Sequence, residues 1–301
     1  MSDVVHYTSC PACGSKEFYP VMEVTDHSVT KELFSLLECK ECQLRFTQDV
    51  PNPQSIIRYY QFEQYISHTN TKKGGINKLY QWVRTFTLHQ KRRLIEKQSG
   101  LSSGNLLEIG AGTGAFAATM QRAGWQVTAL EPDAGARQIA KEQFGVQVSD
   151  SSRFYELPLG QYDVITLWHV LEHMHDLRQV LGHLRTLLKP GGKLFIAVPN
   201  YTSYDAHVYT SYWAAYDVPR HLYHFSPRAM RNLLSAHQLV LTDTMPMWFD
   251  SFYVSLLSTS YQKGKTNYLN GLFTGLLSTI KTLGDTERSS SLIYICRQWP
   301  S

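Results

Sequence analysis

An α/β fold is predicted for this chain, and three observations predict it. From residue 104 onward, short apolar runs alternate with helical patterns, the order that builds a parallel sheet with right-handed crossovers. The run Leu106-Leu107-Glu108-Ile109 passes straight into Gly110-Ala111-Gly112-Thr113-Gly114, a strand-to-helix glycine turn. Lys189-Pro190-Gly191-Gly192 reads as a helix-to-strand turn. The 301 residues suffice for about two domains. At 43% hydrophobic and 18% charged, the composition excludes disordered and collagen-like classes. A formal net charge of +4 permits an anionic partner without demanding one.

Taken in order, residues 1–50 hold four of the five cysteines. Residues 51–99 open on the linker signal Pro51-Asn52-Pro53 and then turn helical. Leu79, Trp82, Val83 and Phe86 recur there at helical spacing, and Ser99-Gly100 stops the run. Asn105–Ile109, Gln126–Leu130, Tyr162–Leu167 and Lys193–Val198 read as strands, with helices over 114–123, 134–144 and 176–188. Leu292–Cys296 is the expected last strand.

The expected division is therefore 1–50, 51–99 and 100–301, with a helical insertion over about 246–284. In the insertion, Leu269, Leu272, Phe273, Leu276, Leu277 and Ile280 mark one apolar stripe, and Phe252, Leu256 and Leu257 suggest a preceding helix. Most such stripes pack on their own domain; a lid, a dimer surface and a membrane-surface helix are the other uses. Met1 to Ser9 lacks the apolar core of a signal peptide. Thr266 to Ile280 falls short of the ~20 apolar residues that span a bilayer, so a cytoplasmic protein without a transmembrane segment is expected.

Cys10-Pro-Ala-Cys13 and Cys39-Lys-Glu-Cys42 form two pairs whose short turns each aim both sulfurs at one point. Four thiolates so arranged suit tetrahedral Zn2+ in a small zinc ribbon, and a closed four-sulfur shell makes the metal structural. Such pairs fit a reducing compartment better than disulfides. Cys296, in the last strand, is expected to be a small buried residue.

The glycine loop alone is ambiguous, because Gly110, Gly112 and Ala115 also satisfy a dinucleotide pattern. Charge separates the readings. Glu108 stands just before the first glycine, where a carboxylate would repel a pyrophosphate but attract the sulfonium and ammonium of S-adenosylmethionine. Glu131 ends the next strand, placed to accept both ribose hydroxyls. Asp150 follows Val146-Gln147-Val148, placed for the adenine amino group.

At these residues the sequence resembles the class I S-adenosylmethionine-dependent methyltransferases. The resemblance covers roughly residues 100–245. It is carried by Leu-Glu-Ile-Gly-Ala-Gly-Thr-Gly (107–114), Ala-Leu-Glu-Pro-Asp (129–133), Tyr-Asp-Val-Ile-Thr-Leu-Trp-His-Val-Leu-Glu-His (162–173) and Lys-Pro-Gly-Gly-Lys-Leu (189–194). It implies a Rossmann-like, seven-stranded sheet with helices on both faces and a reversed last strand. It also implies S-adenosyl-L-methionine contacts at Glu108, Gly110, Ala111, Gly112, Gly114, Glu131, Pro132, Asp150, Trp168 and His169. A zinc ribbon ahead of such a domain resembles certain ribosomal RNA methyltransferases and certain sugar C-methyltransferases.

His169 and His173 are four apart and would share a helix face. With His175 and Asp176 they could be mistaken for a metal cluster, but the spacing lacks the order of a zinc protease. His169 is either a lining residue or a general base. The segment Pro199 to Phe225, rich in Tyr, Trp and His, is expected to be a long functional loop. It offers His221 or His224 as base, Asp217 as carboxylate and Arg220 as cation, or else Arg220 and Asp217 pair to stiffen the loop. His169, His221 and His224 are thus the candidate catalytic residues. The expected acceptor is a small molecule, a sugar or glycan, or a lipid precursor. The alternatives are an RNA methyltransferase docking through its ribbon and Lys91-Arg92-Arg93, or a non-catalytic interaction module.

Overall fold

The computed structural model describes residues 3–60 and 75–299, with the backbone alone for 75–82 and 84. The part of the expected linker at 61–74 lies outside the described residues, as do the side chains of Leu79 and Trp82. The described strands are β1 (Val4–Val5), β2 (Phe18–Thr25), β3 (Leu33–Cys39), β4 (Arg45–Thr47), β5 (Val50–Pro51) and β6 (Asn105–Ile109). They continue as β7 (Gln126–Leu130), β8 (Tyr162–Trp168), β9 (Leu188–Pro199), β10 (Tyr223–His224), β11 (Leu239–Pro246) and β12 (Ser291–Gln298). The described α-helices are α1 (Gly75–Ser99), α2 (Ala115–Arg122), α3 (Ala134–Ile139), α4 (Leu177–Leu187), α5 (Tyr204–Tyr209), α6 (Pro227–Ala236), α7 (Asp250–Lys263) and α8 (Tyr268–Gly284).

Two compact units emerge, each from discontinuous segments. One comprises Met1–Phe62, His169–Leu181 and Ala197–Ile295; the other comprises Glu63–Trp168, Gly182–Ile196 and Cys296–Ser301. The cysteine-bearing residues thus fall in one unit with residues 169–181 and 197–295.

The larger sheet has the order β11-β12-β9-β8-β6-β7. β6 pairs in parallel with β7 (Leu107↔Thr128) and with β8 (Leu107↔Ile165). Leu106, Leu107 and Ile109 are all buried, the near-continuous apolar run of a strand covered on both faces. In α4, Leu177, Val180, Leu181, Leu184 and Leu187 form the buried stripe. Asp163 ties the start of β8 to its surroundings, accepting from the Asn105 N–H at 2.8 Å and the Lys189 ammonium at 2.7 Å. Cys296 is buried, as its place in the last strand foretold.

Four expectations are corrected. Among the described residues the sheet has six strands, not seven: Val146–Val148 forms no strand, and Ser149 after it makes only the single bridge Leu130↔Ser149. Residues 189–192 belong to β9, where Gly191 at φ +81° absorbs the bend without a separate turn. Pro199 to Phe225 is not a loop: it holds α5, two 3-10 turns and β10, and buries Tyr209, Trp213, Tyr216 and Tyr223. Tyr209, Trp213 and Tyr216 fill the core of their own unit with Val24, Phe34, Leu36 and Tyr59.

The fourth correction concerns α8. Its stripe faces outward: Leu269, Leu272, Phe273, Leu276 and Ile280 are exposed, while Gly271, Thr274, Gly275, Ser278 and Thr282 face α7 and the core. The cause is close approach. A Cβ on Gly275 would lie 2.9 Å from the Phe252 Cα, and one on Gly271 2.9 Å from the Leu256 Cα, so only small residues fit that side. Ser278 also donates to the buried Asp205 carboxylate at 2.8 Å, which fixes the helix rotation.

In the cysteine-bearing unit, β2, β3 and β4 form an antiparallel sheet. β10 completes it, pairing Tyr223 with Phe46 and His224 with Arg45.

Candidate active site

The glycine loop is built as its sequence requires. Gly110, Gly112 and Gly114 all have positive φ, and a Cβ on Gly114 would meet the Ala140 Cβ at 2.7 Å. Glu131 binds the loop to the end of β7: the Gly112 N–H donates to its Oε2 at 2.8 Å and the Asp133 N–H to its Oε1 at 3.0 Å. Burial raises its pKa against those two donors. Arg137, which the sequence reading passed over, donates to the carbonyls of Glu131 and Pro132 at 2.7 Å each and pairs with Asp150 at 2.9 Å. Asp150 does not end a strand. It caps the short turn that follows, accepting the Ser152 N–H at 2.9 Å, which holds its carboxyl below the usual range together with Arg137.

Glu108 is 3% exposed, and burial pushes its carboxyl up to about 8 despite the nearby Lys91. Its Oε2 and the Trp168 Nε1 are buried without hydrogen-bond partners in the structure. Glu108 and Trp168 therefore leave one carboxyl oxygen and one N–H unspent, which native interiors do only for a reason. Lys91 is not part of a solvated triplet. Its ammonium lies 4.3 Å from the centre of the Trp168 ring, on the side of α1 that faces β8.

The residues after β8 do not form a helix face. His169 has φ +57° and a single 3-10 turn covers Leu171–His173, so the two histidines diverge. His169 Nε2 lies 3.1 Å from Asp250 Oδ2, and its Nδ1 lies 3.4 Å from Glu172 Oε1. Burial alone would lower the His169 pKa, but the two carboxylates outweigh it and hold the imidazole up at about 10. His175 turns elsewhere, to the Pro51 carbonyl at 3.0 Å.

Glu172, absent from the sequence prediction, is the centre of this cluster. It is fully buried, and neither oxygen has a hydrogen-bond partner; the 3.4 Å approach of His169 is an ion pair only. Burial raises its carboxyl pKa, but the His169 imidazole beside it outweighs that and keeps it low. One donor atom each from Glu172, His173 and His221 lies within 4.8 Å of the other two. His221 Nδ1 meets the Ala215 carbonyl at 2.8 Å, so that nitrogen carries the proton and Nε2 keeps its lone pair in the neutral ring. His173 Nδ1 likewise meets the Arg220 carbonyl at 3.0 Å. Burial and the adjacent His221 lower the His173 pKa to about 4, so it is neutral at physiological pH.

The remaining candidates are structural in their contacts. His224 is fully buried with Nε2 3.1 Å from the Thr47 hydroxyl, and burial drives its pKa well down. Arg220, 1% exposed, donates to Asp217 at 2.7 Å, to Asp26 at 2.9 Å and to the Tyr59 carbonyl at 2.9 Å. The stiffening role is therefore the one it fills. In the cysteine hairpins, Cys10 and Cys42 sulfurs are 3.5 Å apart and those of Cys13 and Cys39 3.6 Å, and all four donors lie within 4.8 Å of one another.

A family model described as a methyltransferase domain matches residues 82–244. The chain is 37% identical over 116 residues to a ubiquinone biosynthesis O-methyltransferase of Aeromonas salmonicida, covering 36% of this chain and 48% of that protein. It is 34% identical over 114 residues to the protein of the same name from Klebsiella pneumoniae, covering 36% and 47%. The chain thus spans about half the length of the curated relatives it matches. A Haemonchus contortus phosphoethanolamine N-methyltransferase, solved with phosphomonomethylethanolamine and S-adenosylhomocysteine, superposes with TM-score 0.53 at 15% identity, covering 85% of this chain and 63% of that one, a likeness of fold.

Proposed function

The chain belongs to the methyltransferase-domain family, and on that premise we propose that it methylates a hydroxyl of a small-molecule, sugar, glycan or lipid-precursor acceptor with S-adenosyl-L-methionine. When bound, that cofactor supplies a methyl carbon activated by its sulfonium. Gly110 and Gly112, beside Ala111, would let it approach the backbone, Gly114 keeps the loop close against Ala140, and Glu131, Pro132 and Asp150 would line the ribose and adenine positions. Glu108 and Trp168 bring their unspent acceptor and donor. The enzyme's main contribution is to hold the acceptor oxygen in line with the methyl carbon.

The observation that carries the acceptor reading is the buried, unbonded Glu172 carboxylate among three imidazoles. A hydroxyl that attacks a methyl group must lose its proton. His221 Nε2 takes it, and Glu172 stabilises the imidazolium that forms. His169, already charged between Asp250 and Glu172, orients this cluster instead of accepting the proton. The names of the relatives, O-methyltransferases, support an oxygen acceptor. Of the triplet Lys91-Arg92-Arg93 on which the RNA alternative would dock, Lys91 lies over the Trp168 ring, which favours the small-molecule reading.

Labelled methyl transfer into a fractionated lysate tests the reading, with Glu131→Ala as the blank. Label in the small-molecule or lipid–glycan fraction supports it, and label confined to RNA refutes it.

Zinc belongs to the same proposal. Four sulfurs at ~2.3 Å from a tetrahedral zinc lie about 3.8 Å apart, close to the separations of these hairpins. About one zinc per chain is expected, lost in Cys39→Ser; elemental analysis that finds none in the native protein overturns it.

A further inference from the structure

The α7–α8 pair is packed inside out. Bulky apolar residues normally face a core, yet α8 turns Leu269 (82% exposed), Phe273 (63%) and Leu283 (71%) to solvent with Leu272, Leu276 and Ile280. Its inner side is Gly271-x-x-x-Gly275 with Thr274, Ser278 and Thr282, which brings the helix backbone against Phe252 and Leu256 of α7. Small residues between helices and large apolar residues outside are the arrangement of helices whose surroundings are lipid. A continuous exposed apolar face of this kind marks an interaction surface.

Charge names the partner. From Ser251 to Gly284 there is no Asp or Glu, while Lys263, Lys265 and Lys281 are present and exposed. A second copy of the chain would bring the same cations face to face, whereas anionic headgroups would complement them. Among the described residues no helix is long and apolar enough to cross a membrane. We propose that the outer face of α8 docks this protein on a bilayer surface carrying anionic headgroups, with the helix lying in the plane of the interface. This inference is independent of the acceptor and of the proton-transfer residues.

The test is co-sedimentation of the full chain with vesicles of phosphatidylcholine alone and of phosphatidylcholine mixed with phosphatidylglycerol. Binding is expected to the mixed vesicles and little to the neutral ones, and it should weaken as salt screens the lysines. Leu269→Ser with Phe273→Ser should reduce the partition about ten-fold or more. Lys263→Ala with Lys265→Ala should reduce it about five-fold per lysine. Both variants keep the buried side of α8, so an unchanged melting temperature verifies the fold. The proposal is overturned if neither vesicle binds, if both bind equally, or if the double serine variant binds as the parent does. It is also overturned if the parent is a dimer in solution that the serine variant splits, which would assign the face to a second copy.

Discussion

In the proposed cofactor site, Glu108 is the residue whose protonation should report most directly on binding. Its carboxyl, pushed up to about 8 by burial, is mostly neutral at lower pH and offers no charge to a cationic ligand. S-adenosylmethionine affinity should therefore tighten as pH rises through 8, and calorimetry below that pH should register proton release on binding. In Glu108→Gln this pH dependence should flatten. Without ligand, the folded chain keeps a proton that the unfolded chain loses near the ordinary carboxylate pKa. That contribution to stability is full in acid and is lost as pH climbs toward 8. Arg220 gives a second residue-scale prediction. Arg220→Ala leaves Asp26 fully buried without its cation and should cost about 3–5 kcal/mol by denaturant titration. Adding Asp26→Asn should recover part of that loss, the non-additivity expected of two groups in one network.

At the scale of the element, α8 reverses the usual rule for helix substitutions. Leu269→Ser, on the outer face, should leave stability within about 0.5 kcal/mol. Gly275→Ala should destabilise in thermal melts although alanine is the better helix former, because the overlap with Phe252 costs about 1–3 kcal/mol against a propensity gain of about 1 kcal/mol. Periodicity made this helix legible in the sequence, but not its rotation. A stripe of Leu and Phe is equally visible whether it meets a core or faces outward, and the deciding glycines act only through the approach of α7. The same division holds at the site. Glycines with positive φ and a carboxylate at a strand end are local necessities, so the Gly110–Gly114 loop and Glu131 could be read from spacing. Glu172 could not. Its importance comes from His221, which tertiary structure alone brings beside it. Asp250 meets His169 for the same reason, from 81 positions away.

On the scale of the whole chain, segments remote in sequence share one unit. Aromatic content over 199–225 suggested a working loop, yet those rings fill a core together with β2 and β3 residues, a partnership no local pattern announces. A prediction follows for metal removal. If the cysteines hold zinc, chelation should loosen more than the hairpins, because β4 carries β10 on its edge. Amide hydrogen exchange at Tyr223 and His224 should accelerate on chelation, while exchange in β6 should change little. Equal acceleration in both would show that zinc supports the whole molecule and not this unit.

The pairing of β4 with β10 also sets an order in time. Thr47 meets its partner His224 only 177 positions downstream. A ribosome adding ~5–20 residues per second takes roughly 10–35 s to cover that stretch. Throughout that interval the nascent chain displays an unpaired strand edge, the feature that invites pairing with other chains. The protein's exposure to misassembly is thus greatest during its own synthesis, long before it meets any acceptor.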